Sequence, residues 1–137
     1  IFPYKNIDIF PCGLSDKNKD GAPIRLNGYA PGFNIFSAEM NNIRLPLRTI
    51  DYLVDSGEIE KINFLKLDVE GSEMATLRGA RNSIDRFKPK LAISIYHKPD
   101  DFFEIINYIK ENHKYYKLYV DHYTVHREET VVYGLPY

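Results

Sequence analysis

The run Asn63-Phe64-Leu65-Lys66-Leu67-Asp68-Val69-Glu70-Gly71-Ser72-Glu73 constrains the fold more than any other stretch of the chain. A short, nearly continuous apolar segment stops abruptly at two acids and a glycine, and a helical pattern follows at once. Such a segment reads as a buried strand, and in an open α/β protein its carboxyl edge is where ligands bind. With Val69 between them, Asp68 and Glu70 point the same way if the extended geometry persists, so two carboxylates face one crevice. The same residues also suit a helix start. Acids near a first turn complement the helix dipole, Ser72 is a good N-cap and Glu73 is a first-turn acid. Residue type alone does not separate an ion-handling pair from helix-start chemistry.

The rest of the chain sets this junction in context. Ile62 to Val69 is the first buried strand, and Ser72 to Arg86 reads as one helix with Met74, Leu77, Ala80 and Ile84 on its inner face, stopped by Pro89. Leu91 to His97 is a second apolar strand, and Pro99 to Asn112 is helical with Phe102, Ile106 and Ile109 inward. Tyr115 to Val120 and Thr130 to Leu135 read as two strands joined by a polar turn containing His122 and His126. Six of the eleven tyrosines lie beyond position 110, so aromatics pack this hairpin. Upstream, Asn6 to Cys12 reads as a strand, Ile24 to Leu26 as a short strand and residues 27–42 as a long irregular loop. Ile43 to Arg48 alternates like a half-exposed strand that Pro46 holds to a sheet edge, and Thr49 caps a short helix through Val54. Two apolar strands joined by helices and followed by a hairpin predict an α/β fold: parallel strands in a right-handed, doubly wound sheet with an antiparallel carboxyl-terminal ending.

At 137 residues the chain is read as a single domain, 1–137. A net charge of −1 provides no field for nucleic acid or an anionic membrane, and no apolar run approaches the ~20 residues a membrane span needs. The lone Cys12 forms no internal disulfide, which fits a reducing, cytoplasmic setting. Opening at Ile1 and entering strand-like sequence almost at once, the chain reads as a piece of a longer polypeptide.

His97 ends the second apolar strand as Asp68 ends the first. If the strands are parallel neighbours ~5 Å apart, both side chains reach one rim, where a histidine beside a carboxylate suits removing a proton from a substrate hydroxyl. Lys66, inside an apolar strand, needs solvent or an acid as partner. His122 and His126 have the four-residue spacing of a helical metal pair but fall in a turn, so no metal is expected there, and His113 reads as a surface residue. Neither a Gly-x-Gly-x-x-Gly nor a P-loop pattern occurs among the eight glycines.

The segments KLDVEGSEMATLRGA (from Lys66), KPKLAISIYHKPDDFFEI (from Lys88), YKLYVDHY and ETVVYGLP resemble the FkbM family of S-adenosylmethionine-dependent methyltransferases, in family order and spacing. DIFPCGLSD, from Asp8, is similar to that family's third core strand and its following loop. The resemblance implies part of a class I methyltransferase sheet, Rossmann-like, and methyl transfer to a hydroxyl of a sugar, glycan or small molecule. Cys12, Gly13 and Leu14 would border the adenine pocket, Asp68 would lie beside the methyl donor, and Glu70 and His97 would line the acceptor pocket. The motif does not fix which of them is the base. The Ser-Ile-Tyr-His variant is similar to members found among surface-glycan genes, which points to a sugar hydroxyl.

The family's first two strands, with their glycine-rich cofactor turn, have no counterpart in this sequence. The resemblance therefore implies the carboxyl-terminal part of a methyltransferase domain, unable on its own to bind the donor. A non-catalytic scaffold that binds a glycan or a partner is the competing expectation. A metal hydrolase using Asp68, Glu70 and His97 is a weaker third.

Overall fold

The computed structural model describes residues 6–23, 25–26, 33–34, 44–126 and 128–137. In chain order these form β1 (Gly13–Leu14), β2 (Lys19–Pro23), β3 (Arg25–Leu26), β4 (Phe33–Asn34) and β5 (Arg44–Arg48). Then come α1 (Ile50–Asp55), β6 (Phe64–Leu67), α2 (Glu73–Arg78), α3 (Arg81–Phe87), β7 (Lys90–Ser94), α4 (Asp101–Asn112), β8 (Tyr116–His122) and β9 (Thr130–Pro136). The main sheet has the order β6-β7-β9-β8; β6 and β7 are parallel, and β9 and β8 complete it antiparallel, as their apolar runs and hairpin predict. A second sheet, β1-β5-β2, is mixed, and β3 and β4 form a small pair. The fold is thus mixed α/β. Its core unites Leu65, Leu67, Leu91, Ile93 and Val132 of the main sheet with Leu77, Ile84, Ile105 and Ile109 of the helices. Among the described residues no helix is long and apolar enough to cross a membrane.

Several expectations fail for local physical reasons. Asn6 to Cys12 is not a strand: Ile7 and Ile9 are more than half exposed, and the Cys12 amide turns back to the Phe10 carbonyl at 2.8 Å beside Pro11. Pairing begins only at Gly13. β6 is not buried on both faces. Leu65 and Leu67 point inward, while Phe64 and Lys66 point out to an exposed face, the alternation of a half-buried strand. Strand β5 is the middle of its sheet despite Pro46. Leu47 faces Lys19 and Leu45 faces Ala22, so Asp20 and Gly21 bulge opposite the proline, with Gly21 at φ 62°, and the ladder is interrupted where Pro46 has no N–H to give. Residues 27–32 and 35–42 of the expected loop lie outside the described residues, and Phe33–Asn34 pairs with Arg25–Leu26.

The expected helix from Ser72 to Arg86 is two helices, broken at Gly79-Ala80. Asp51 of α1 causes the break to be stable. Its carboxylate accepts from the amides of Asn82 and Ser83 and from the Ser83 hydroxyl, capping α3 from another element, and its own amide donates to the Gly79 carbonyl. Thr49 caps α1 as expected, accepting from the Tyr52 amide. On α4 the inner face is Asp101, Ile105 and Ile109; Phe102 is 40% exposed, one position off the buried stripe. His113 is fully buried rather than on the surface, its Nδ1 held 2.8 Å from Asp85 Oδ1 and its ring among Tyr108, Tyr115 and Tyr116.

Candidate functional site

The parallel register puts Leu67 opposite Ile93, so the two strands end side by side and send Asp68 and Ser94 out of the same edge. Asp68 lies two residues beyond Lys66 on one face of the extended chain, and Lys66 Nζ donates to Asp68 Oδ2 at 3.1 Å. The Ser94 hydroxyl and the Tyr96 hydroxyl both donate to Asp68 Oδ1, at 3.0 and 3.2 Å. Burial works against the charge on Asp68. Those three donors outweigh it and hold the carboxyl below its usual range. Burial and the neighbouring Asp68 charge push Tyr96 up to about 12, which keeps it a neutral donor.

Beyond Asp68 the chain turns sharply. Glu70 sits at φ 52° and Gly71 at φ 92°, so two consecutive left-handed residues redirect the strand into α2. For glutamate that backbone region costs energy, and the turn is what aims its side chain back over the strand end. Glu73 opens α2 with no solvent exposure, and its Oε1 accepts from the Val69 amide at 2.8 Å. Ser72 precedes it without making the side-chain cap that its residue type favours.

The second strand stops at Ser94 rather than at His97, and His97 enters this acid cluster from the segment three residues beyond it, with a side chain nine-tenths buried. Its Nδ1 lies 2.8 Å from Glu73 Oε1, and its Nε2 lies 3.7 Å from Asp68 Oδ1 and 3.6 Å from Glu70 Oε2. The Nδ1 contact is one of charge and distance, because the atom has no aligned hydrogen bond; Glu73 Oε2 likewise has no partner. Burial disfavours the imidazolium, but Glu73 first, then Glu70 and Asp68, outweigh it, so the pKa is raised above its ordinary 6.5. Glu73 mirrors this: burial pushes its carboxyl up, and His97 and the Val69 amide bring it below the usual range. Asp101 at the start of α4 is also buried. Burial raises its carboxyl more than the Lys98 amide, bonded at 2.8 Å, lowers it.

Asp68, Glu70 and His97 thus form one cluster at the strand ends, partly exposed at Asp68 and Glu70 and backed at His97 by buried Glu73. Chemically, this cluster offers a raised-pKa imidazole between carboxylates, which can accept a proton and hold the resulting charge. Glu73, Ser94 and Tyr96 are members that sequence reasoning missed. Strand register alone pointed to Ser94, while nothing in the spacing showed that a first-turn glutamate is buried.

Cys12 and Leu14 lie elsewhere. With Phe10, Ile50, Leu53 and Phe64 they line an apolar cavity of about 440 Å³, in the size range of small-molecule pockets. Gly13 pairs with Leu47 in β1, and neither it nor Asp68 lines this cavity. Burial pushes the Cys12 thiol up, against thiolate chemistry. His122 is part of β8 and bonds Thr130 through Nδ1 at 2.8 Å, so its spacing to His126 is not helical.

The family description "Methyltransferase FkbM domain" matches residues 6–117. The crystal structure of Methyltransferase FkbM from Methylobacillus flagellatus KT is similar to this chain, with 30% identity and a TM-score of 0.68 over 90% of its residues. The match covers 27% of that protein's chain, so the present sequence spans about a quarter of its length. No curated protein sequence matches.

Proposed function

Because the chain belongs to the FkbM methyltransferase family, we propose that it is the carboxyl-terminal part of an S-adenosylmethionine-dependent O-methyltransferase with a class I, Rossmann-like sheet. Its acceptor is a hydroxyl of a sugar, glycan or small molecule. The observation that carries this reading is the placement of His97 Nε2 between Asp68 and Glu70, with buried Glu73 behind Nδ1. An acceptor hydroxyl entering from the partly exposed side meets Nε2, which belongs to a ring of raised pKa and lies 3.7 Å and 3.6 Å from the Asp68 and Glu70 carboxylates. Asp68 is a poor base because three donors stabilise its charged form. In this reading His97 takes the hydroxyl proton, Glu73 stabilises the imidazolium, and Asp68 and Glu70 orient the acceptor.

The methyl donor does not fit within these residues alone. Among the described residues the Cys12–Leu14 cavity has apolar walls with Lys61 as its one charged member and no carboxylate to grip a ribose, and the glycine-rich turn is not in the 137 residues. No step is therefore routed through the donor here. Isothermal titration of the 137-residue chain with S-adenosylmethionine is expected to show no saturable binding up to ~1 mM; micromolar binding contradicts the reading. Joined to a donor-binding half, the chain is expected to place the methyl on an acceptor oxygen. A product methylated on nitrogen or carbon sinks the O-methyltransferase assignment.

A further inference from the structure

We propose that Asp68, Glu73 and His97 hold a divalent cation of the Mn²⁺ or Zn²⁺ type. The three residues each offer one ligand atom, and those atoms lie within 4.8 Å of one another. Donors bound to one ion at ~2.1 Å sit ~3–4 Å apart, so a small side-chain adjustment closes the set. A second observation points to the same place independently. Glu73 has no solvent exposure, and its Oε2 has no hydrogen-bond partner. An unpartnered carboxylate oxygen in the interior is costly, and a cation supplies the missing partner.

Charge agrees with geometry. Among the described residues, four acids (Asp68, Glu70, Glu73 and Asp101) stand against two lysines (Lys66 and Lys98), an acidic balance of two when His97 is neutral. One imidazole with two carboxylates is a mixed donor set that favours first-row ions over Ca²⁺, which prefers six to eight oxygens. The side of the cluster toward Glu70 is open to solvent, so coordination positions remain for water or an acceptor hydroxyl. With an ion bound, His97 would be a neutral ligand rather than the base, and the ion would lower the pKa of a bound hydroxyl so that it loses its proton to solvent; this role rests on the proposed methyl transfer.

Mn²⁺ titrated into the chain, followed by electron paramagnetic resonance and calorimetry, is expected to show one site per chain. Glu73→Gln is expected to weaken it by more than about tenfold, while Asp121→Asn in the exposed hairpin leaves it unchanged. Absence of saturable Mn²⁺ and Zn²⁺ binding, or binding that Glu73→Gln leaves intact, overturns the site. Should Glu73→Gln fail to fold, paramagnetic broadening in the unsubstituted chain decides: it is expected first at residues 66–73 and 94–98, and broadening centred on the hairpin histidines overturns the proposal. In a polypeptide that joins these residues to a donor-binding half, methyl transfer that persists without Mn²⁺ binding removes the ion alone, and Mn²⁺ binding without transfer removes only the proposed reaction.

Discussion

Asp68→Asn is expected to lower kcat/KM for methyl transfer by about 10²–10⁴-fold, measured with labelled donor on a polypeptide that joins these residues to a donor-binding half. The substitution is nearly isosteric, so the Ser94 and Tyr96 hydroxyls keep an acceptor at the Oδ1 position, but the charge is gone. Lys66 loses its counter-ion, and the cluster loses one of the three carboxylates that support a protonated His97. Stability is expected to change little, because Asp68 is one-third exposed and its ion pair with Lys66 is largely solvated. Ser94→Ala removes a single donor from the same carboxylate and is expected to cost far less. A fall below about threefold for Asp68→Asn contradicts a role at the reacting hydroxyl.

Gly79→Ala is expected to destabilise the chain by about 3 kcal/mol, lowering Tm by roughly 10 °C in thermal unfolding. Two effects oppose each other. Alanine is worth up to ~1 kcal/mol over glycine in helical backbone, and Gly79 sits at an ordinary φ of −75°, so local preference favours the change. An added Cβ, however, would lie 2.1 Å from the Ser15 carbonyl oxygen and 3.2 Å from the Thr49 Cβ. The obstacle is backbone, which cannot rotate aside, and the Ser15 amide is itself held by the Arg48 carbonyl. Overpacking wins. Gly57, at φ 80° with open space around its Cβ position, has strain without collision and serves as the contrast; its alanine variant is expected to cost about 1 kcal/mol. A Gly79→Ala chain as stable as the parent contradicts the close approach of the α2–α3 break to the β1 end.

These two residues also show what a sequence can and cannot reveal. Asp68 and His97 were readable as partners because two apolar runs of similar length, joined by a helical crossover, pair in parallel, and both residues follow the last apolar position. The hairpin, the Thr49 cap and the need of Lys66 for solvent or an acid were legible for the same reason: each depends on neighbours in sequence or on strand period. What escaped depends on distant groups. The helix break at Gly79 is held by Asp51 from α1, His113 is buried by Asp85 of α3, and Pro46 is accommodated in a central strand by a bulge in β2. Glu73 escaped most completely. A first-turn glutamate is ordinarily solvated, and only the fold of the Glu70–Gly71 turn carries it inside against His97.

The account rests on His97 standing among three carboxylates at the ends of two parallel strands, and its imidazole titration followed by NMR reads that environment directly. The chain is expected to show a His97 pKa above the ordinary 6.5, because Glu73, Glu70 and Asp68 outweigh burial, and a clear drop when Glu73 is replaced by glutamine. The charged form is then the one present at mildly acid pH, and it is lost only as pH rises through the raised value. A His97 pKa at or below 6.5 that ignores Glu73→Gln would mean that burial governs the ring and the acids do not surround it.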